Sequence, residues 1–221
     1  MLNQEGVWMK KILLGVYDYT VILTYLSFAI GVFGIFEACN GQTMTAIICL
    51  MLSGVCDLFD GKVARTKKNR TQDEKRFGIQ IDSLCDLVCF GVLPGFIGYS
   101  AGLNNRLCVL VYILYALSAL IRLAYFNVTE EERQDATKEK RKYYTGVPVT
   151  SAAIVFPIVC ALESVNRNVF YFAMISVYIL YSYFFLCKIK VEKPGKKGAI
   201  ILIAVGFVEF GIYLLMKYFV N

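Results

Sequence analysis

The chain has 221 residues, 57% of them hydrophobic and only 18% charged, with a formal net charge of +6. That balance excludes a water-soluble globular domain and fits a polytopic membrane protein with little chain left for a separate soluble unit. Histidine is absent, which excludes His-based triads and His–metal sites and leaves carboxylates, then Lys, Tyr or Cys, as candidate general bases.

In chain order, residues 7–17 read as a short helix lying on the membrane surface, with Met9-Lys10-Lys11 ahead of apolar residues and no small-residue cleavage site after them. Apolar runs of spanning length then predict helices over 19–38, 43–59, 79–100, 107–126, 146–163, 168–187 and 198–219. The second has room to continue past Asp60 as an amphipathic extension, and Pro148 and Pro157 interrupt the fifth. Glu37 sits at an interface, and Glu209 in the last helix is expected to hydrogen-bond between helices. Tyr178, Tyr181 and Tyr183 read as packing and interface anchors.

The charges alternate between connections. Arg65, Lys67, Lys68, Arg70, Lys75 and Arg76 share one, Arg133, Lys138, Lys140, Arg141 and Lys142 a second, and Lys188, Lys190, Lys193, Lys196 and Lys197 a third. The intervening connections carry only Arg106 and Arg167. The positive-inside rule places the basic loops and the N-terminus in the cytoplasm, where their cations also attract anionic lipid. Nothing in the pattern suggests nucleic acid. The eight cysteines lie mainly in apolar segments, and Cys85 and Cys89, one turn apart, read as packing rather than as a metal pair.

Four aspartates stand out against this background. Asp57, Asp60, Gly61 and Ala64 share one helical face, and Gly78, Asp82 and Asp86 share another. The short connection between them predicts antiparallel neighbours whose acidic faces meet. Converging carboxylates repel and therefore bind cations or take up protons. Oxygen-only ligands favour Mg²⁺ or Mn²⁺ over zinc, and two such ions about 3.5–4 Å apart form a phosphoryl-transfer site. Small residues on the same stripes leave room for a ligand to approach the backbone, and Arg65 adds a planar fork for a phosphate oxygen. Metal beside a bilayer points to chemistry on a charged lipid. A cation transporter is the rival reading, disfavoured because the acids cluster at one membrane edge and no internal repeat accompanies them. A structural membrane protein with degenerate acids is the third.

These residues resemble the signature of the CDP-alcohol phosphatidyltransferases, D-x-x-D-G-x-x-A-R, a spacer, then G-x-x-x-D-x-x-x-D, at Asp57, Asp60, Gly61, Ala64, Arg65, Gly78, Asp82 and Asp86. The spacer, residues 66–77, is longer than the family's usual one. The run from Asp82 to Pro94 is similar to D-S-L-A-D-x-V-S-F-G-V-A-P of the bacterial-type phosphatidylserine synthases. Arg122–Asn127 resembles their R-L-A-R-F-N, and Tyr144–Pro148 their F-x-G-L-P. Cys89 stands where that group has Ser, Tyr125 where it has Arg, and Val149-Thr150 lacks a second proline. The loss of the cation at Tyr125 bears on alcohol selection.

The resemblance implies an all-α, polytopic membrane bundle. It would comprise an N-terminal cytoplasmic or interfacial segment (1–18), a six-helix core (19–187), and a basic loop with an extra C-terminal helix (188–221), paired as a homodimer in a bacterial cytoplasmic membrane with its polar cavity facing the cytoplasm. It implies phosphatidyl transfer from CDP-diacylglycerol to the hydroxyl of L-serine with release of CMP; other polar alcohols (glycerol phosphate, inositol phosphate, choline) are the alternatives. Asp57, Asp60, Asp82 and Asp86 would hold two divalent ions, Mg or Mn. Asp86, with Asp82, would be catalytic, Asp86 as general base. Asp57, Gly61, Ala64, Arg65 and Gly78 would line the cytidine diphosphate site. Arg122, within the fourth helix, either pairs with an acid of the bundle or recognises the acceptor's carboxylate or a phosphate. Asn127 and Tyr144 are further acceptor-binding candidates.

Overall fold

The computed structural model describes residues 14–136, 143–164, 166–192, 208 and 211. The start of the surface segment, most of the terminal helix predicted over 198–219, and Glu209 lie outside the described residues. The helices are α1 (Ile22–Cys39), α2 (Thr43–Ala64), α3 (Gln72–Asp86), α4 (Leu93–Ser100), α5 (Arg106–Ala136), α6 (Ala152–Ala161) and α7 (Arg167–Leu186). A π-helical turn, Leu87–Val92, joins α3 to α4, and 3₁₀ turns at Val149–Ser151 and Leu162–Ser164 flank α6. Among the described residues, five continuous helical stretches are long and apolar enough to cross a membrane, and Val149–Ala161 forms a shorter apolar helix. The architecture is the all-α, polytopic bundle expected.

Several boundaries differ from the hydropathy reading. Residues 14–20 form bends and turns rather than the end of a surface helix. The third helix begins at Gln72, not 79, because Thr71 and Glu74 form a capping box over a polar first turn that hydropathy does not register. The helix predicted over 107–126 runs on to Ala136, its polar end supported by the Arg133–Glu130 pair at 2.6 Å and by Arg76–Glu131 at 3.3 Å. The fifth span shrinks to the short segment after Pro148, with Pro157 inside it. Tyr143–Thr145 (β1) and Lys190–Glu192 (β2) add a small antiparallel pair.

Close packing of α1 on α2 brings the first acid-bearing helix into place. A Cβ on Gly34 would lie 2.7 Å from that of Cys49, so the backbones approach as only a small residue permits. Ser27 donates to the Ser53 carbonyl at 3.3 Å, and Ser53 returns a bond to the Ser27 carbonyl at 3.2 Å. Cys85 and Cys89, both buried, donate to the Thr24 and Ser27 carbonyls at 3.4 Å and so seam α1 to α3 and the π turn.

The π turn has an identifiable cause. Pro94 has no N–H for the Phe90 carbonyl, and the buried Tyr115 hydroxyl donates to that carbonyl instead at 2.7 Å. Tyr178, also fully buried, donates to the Pro94 carbonyl. Tyr115, Tyr178 and Phe156 stack edge-on and tilted around this point, tying α5, α6 and α7 to the end of the acid-bearing helix.

The connections sort to two ends. The Thr43 and Ser100 hydroxyls lie 2.7 Å apart, placing the α1–α2 and α4–α5 connections together, and Gly102 packs near Tyr171 and Arg167 of α7. The α2–α3 connection and the β1–β2 pair occupy the opposite end, with Arg65, Lys67, Lys68, Arg70 and Lys188 among the described residues.

Candidate active site

The aspartates lie near this basic end, two on the last turns of α2 and two on α3. Carboxylate oxygens of Asp57, Asp82 and Asp86 all fall within 4.8 Å of one another. Asp57 is within hydrogen-bonding reach of Asp86, and Asp60 of Asp82, so each acid of α2 faces one of α3. Asp60 stands slightly apart: its Oδ2 accepts from the Thr24 hydroxyl of α1 at 3.1 Å, and it is not one of the three clustered carboxylates. Asp60 and Asp86 are buried among the helices.

Like-charged oxygens this close need a counter-charge. The set fits a hard divalent cation: every donor is a carboxylate oxygen. Metal–oxygen distances of about 2.0–2.6 Å let one ion reach ligand atoms separated by up to about twice that. Asp57, Asp82 and Asp86 can therefore hold a metal, with Asp60 next to them.

The remaining candidates distribute around the cluster. Gly61 and Arg65 are exposed on the last turn of α2, with a Cβ on Gly61 3.9 Å from the Arg65 guanidinium. Ala64 ends α2 and is half-buried. Gly78 lies one turn outward of Asp82 on the same face of α3. Asn127 reaches α3 from α5: its Oδ1 accepts from Ser83 at 2.7 Å and its Nδ2 donates to Gln80 at 3.2 Å. Arg122 is buried and donates through Nε to the Val147 carbonyl and through Nη2 to the Gly146 carbonyl at 3.4 Å, with the Phe185 ring 6.0 Å away. It thereby clamps the connection into α6, a contact that neither sequence reading of this residue anticipated. Tyr144 belongs to β1. At Tyr125, where the resemblance lost a cation, the Lys188 ammonium lies 5.8 Å from the ring centre.

The family model for CDP-alcohol phosphatidyltransferase matches residues 19–186. The chain belongs to this family. Three similar proteins carry related names. The CDP-diacylglycerol–serine O-phosphatidyltransferase of Saccharomyces cerevisiae is 40% identical over 108 residues, 48% of this chain and 38% of the yeast protein. That of Helicobacter pylori is 32% identical over 148 residues, 66% of this chain and 58% of its own. The archaetidylserine synthase of Methanothermobacter thermautotrophicus is 30% identical over 178 residues, 80% and 70% of the two chains. The chain thus spans less than two thirds of the length of the first two.

The connection between the two acid-bearing helices is held by an ion-pair triad that hydropathy and helical spacing do not reveal. Lys67 bonds Asp18 at 2.7 Å and Glu74 at 2.9 Å, while Glu74 also accepts from the Thr71 N–H at 3.1 Å. Partial burial pushes the Asp18 carboxyl up, but Lys67 and two bonds from Thr20 outweigh it and hold the pKa at about 2. Bonds to Asp18 and then Glu74 raise the Lys67 ammonium above its ordinary value. The legible half of this triad was the T-x-x-E capping signature at Thr71–Glu74; the partner at Asp18 is distant in sequence and left no local signal.

Proposed function

We propose that this protein transfers the phosphatidyl group of CDP-diacylglycerol to the hydroxyl of L-serine, yielding phosphatidylserine and CMP. The observation that carries the reading is the convergence of Asp57, Asp82 and Asp86 at the basic end of a membrane bundle, in a chain of this family. The acceptor rests on the names of the relatives from S. cerevisiae and H. pylori. In this reading Asp57, Asp60, Asp82 and Asp86 would hold two divalent ions, Mg or Mn. When bound, such ions neutralise the diphosphate and favour departure of CMP.

The chain's own groups supply position and proton transfer. Gly61, Ala64, Arg65 and Gly78 line the nucleotide site in this reading, and the Arg65 fork faces phosphate oxygens. The serine hydroxyl attacks the phosphorus bearing the diacylglycerol, in line with the phosphoanhydride bond, which breaks to release CMP. Asp86 accepts the hydroxyl proton. Asn127, already anchored on Ser83 beside Asp82, and Arg122, next to the connection that carries Tyr144, are the acceptor-side groups. The positive-inside rule orients the acid cluster and the basic end toward the cytoplasm of the host membrane.

The test is CMP release by the purified protein in detergent with CDP-diacylglycerol and Mg²⁺ or Mn²⁺, against serine, glycerol phosphate, inositol phosphate and choline in turn. Release with serine is expected. Release only with another alcohol overturns the acceptor, and no release with any of them overturns the transfer.

A further inference from the structure

Arg70 ends the lengthened connection and immediately precedes the capping residue Thr71. Its side chain folds back along α3, and a Cβ on Gly78 would lie 2.6 Å from Nη2 and 3.8 Å from Cζ. The guanidinium therefore rests on the bare backbone of Gly78. Gly78, Asp82 and Asp86 recur every fourth residue, so this cation sits over the face that carries two acids of the cluster, about 6 Å along the helix axis from Asp82.

Its hydrogen bonding is incomplete. Nη2 donates to the Glu74 carbonyl at 3.0 Å, but Nε is buried without a partner. The nearby Glu74 carboxylate is already engaged by Lys67 and by the Thr71 N–H. A buried donor on a permanently charged group is costly to leave unmet, and the planar fork of Arg suits a phosphate oxygen. The connection that presents it is pinned at both ends. Thr66 donates to the Val63 carbonyl at 2.7 Å, Lys67 ties the connection to Asp18 and Glu74, and the capping box fixes Thr71. A guanidinium held this way is ordered before any ligand arrives.

We propose that Arg70 binds a phosphate oxygen of the nucleotide-activated donor, at the outer end of the α3 acid stripe. The assignment rests on the proposed donor. It makes the longer connection a source of a second phosphate-binding cation besides Arg65. It also accounts for the glycine at position 78, since a side chain there would displace the guanidinium.

The experiment titrates CDP into the full-length protein in detergent with Mn²⁺, by calorimetry, for the unaltered chain, Arg70→Met and Arg70→Lys. Arg70→Met is expected to weaken CDP binding about tenfold, as loss of a charge-assisted bond implies. Arg70→Lys, which restores charge without the fork, is expected to recover part of the loss. The KM for serine and sedimentation with phosphatidylglycerol vesicles should stay unchanged. CDP affinity within twofold of the unaltered chain in both variants overturns the proposal. Weaker vesicle association with unchanged CDP affinity also overturns it, by assigning Arg70 to bulk lipid headgroups. Should Arg70→Met not fold, Arg70→Lys decides: full CDP affinity there overturns the role of the fork. An unaltered chain that binds no CDP in the presence of metal defeats the donor reading itself, a result distinct from these.

Discussion

Replacing Asp57 by Asn tests the acid cluster most directly, because the amide keeps the shape and removes one charge. Three carboxylate oxygens lie within 4.8 Å of one another. At an effective dielectric of about 20, two unit charges at that separation repel by roughly 3.5 kcal/mol. Neutralising Asp57 removes its two pairs, a gross relief of at most ~7 kcal/mol with every acid ionised; proton uptake in the absence of metal cuts this down, and typical single-site effects realise about 0.5–3 kcal/mol. In EDTA the Asp57→Asn protein should therefore unfold at a higher temperature than the unaltered chain, by about 2–4 °C for each kcal/mol. Saturating metal narrows or reverses that difference. Metal at roughly 100 times its Kd stabilises the unaltered protein by about 2.7 kcal/mol, and most of that gain should vanish with the ligand. The assay is thermal unfolding in detergent followed by far-ultraviolet circular dichroism, with EDTA and with Mn²⁺. An Asp57→Asn protein that is less stable in EDTA, or that keeps the full metal-induced shift, would refute the argument from charge repulsion and ligation.

Two further outcomes concern the scaffold. Tyr115→Phe strips the Phe90 carbonyl of its donor in a site where Pro94 supplies none, and should lower stability by about 1–3 kcal/mol in the same unfolding assay; no measurable loss would mean that the π turn does not depend on this bond. Asp18→Asn should destabilise the protein near neutral pH by releasing Lys67. Because the folded carboxyl titrates at about 2, below its ordinary value of 3.8, its contribution is complete above pH 3.8 and disappears as pH falls through 2. The difference between the two proteins in unfolding midpoint should therefore be constant above about pH 5 and shrink below about pH 4; a difference that stays flat down to about pH 2 would exclude the Asp18–Lys67 bond as its source.

Composition, hydropathy and the spacing of the acids carried a great deal. A chain too apolar to be soluble must form spanning helices, since an unpaired backbone is not tolerated in hydrocarbon. Helical periodicity alone put Asp57 with Asp60, and Asp82 with Asp86 and Gly78, on shared faces. What that periodicity does not contain is the rotation of one helix against another. The tertiary packing of α1 on α2 and of α1 on α3, through Ser27, Ser53, Cys85 and Cys89, turns the two stripes together, draws Asp57, Asp82 and Asp86 into one cluster, and leaves Asp60 against Thr24. The π turn after Asp86 likewise depends on a hydroxyl from α5, and Arg122 finds carbonyls of a distant connection. Local rules reach only a few residues along the chain, whereas these partners are set by which side chains fill the space between helices. That is why the chemistry was written in the sequence and its geometry in the fold.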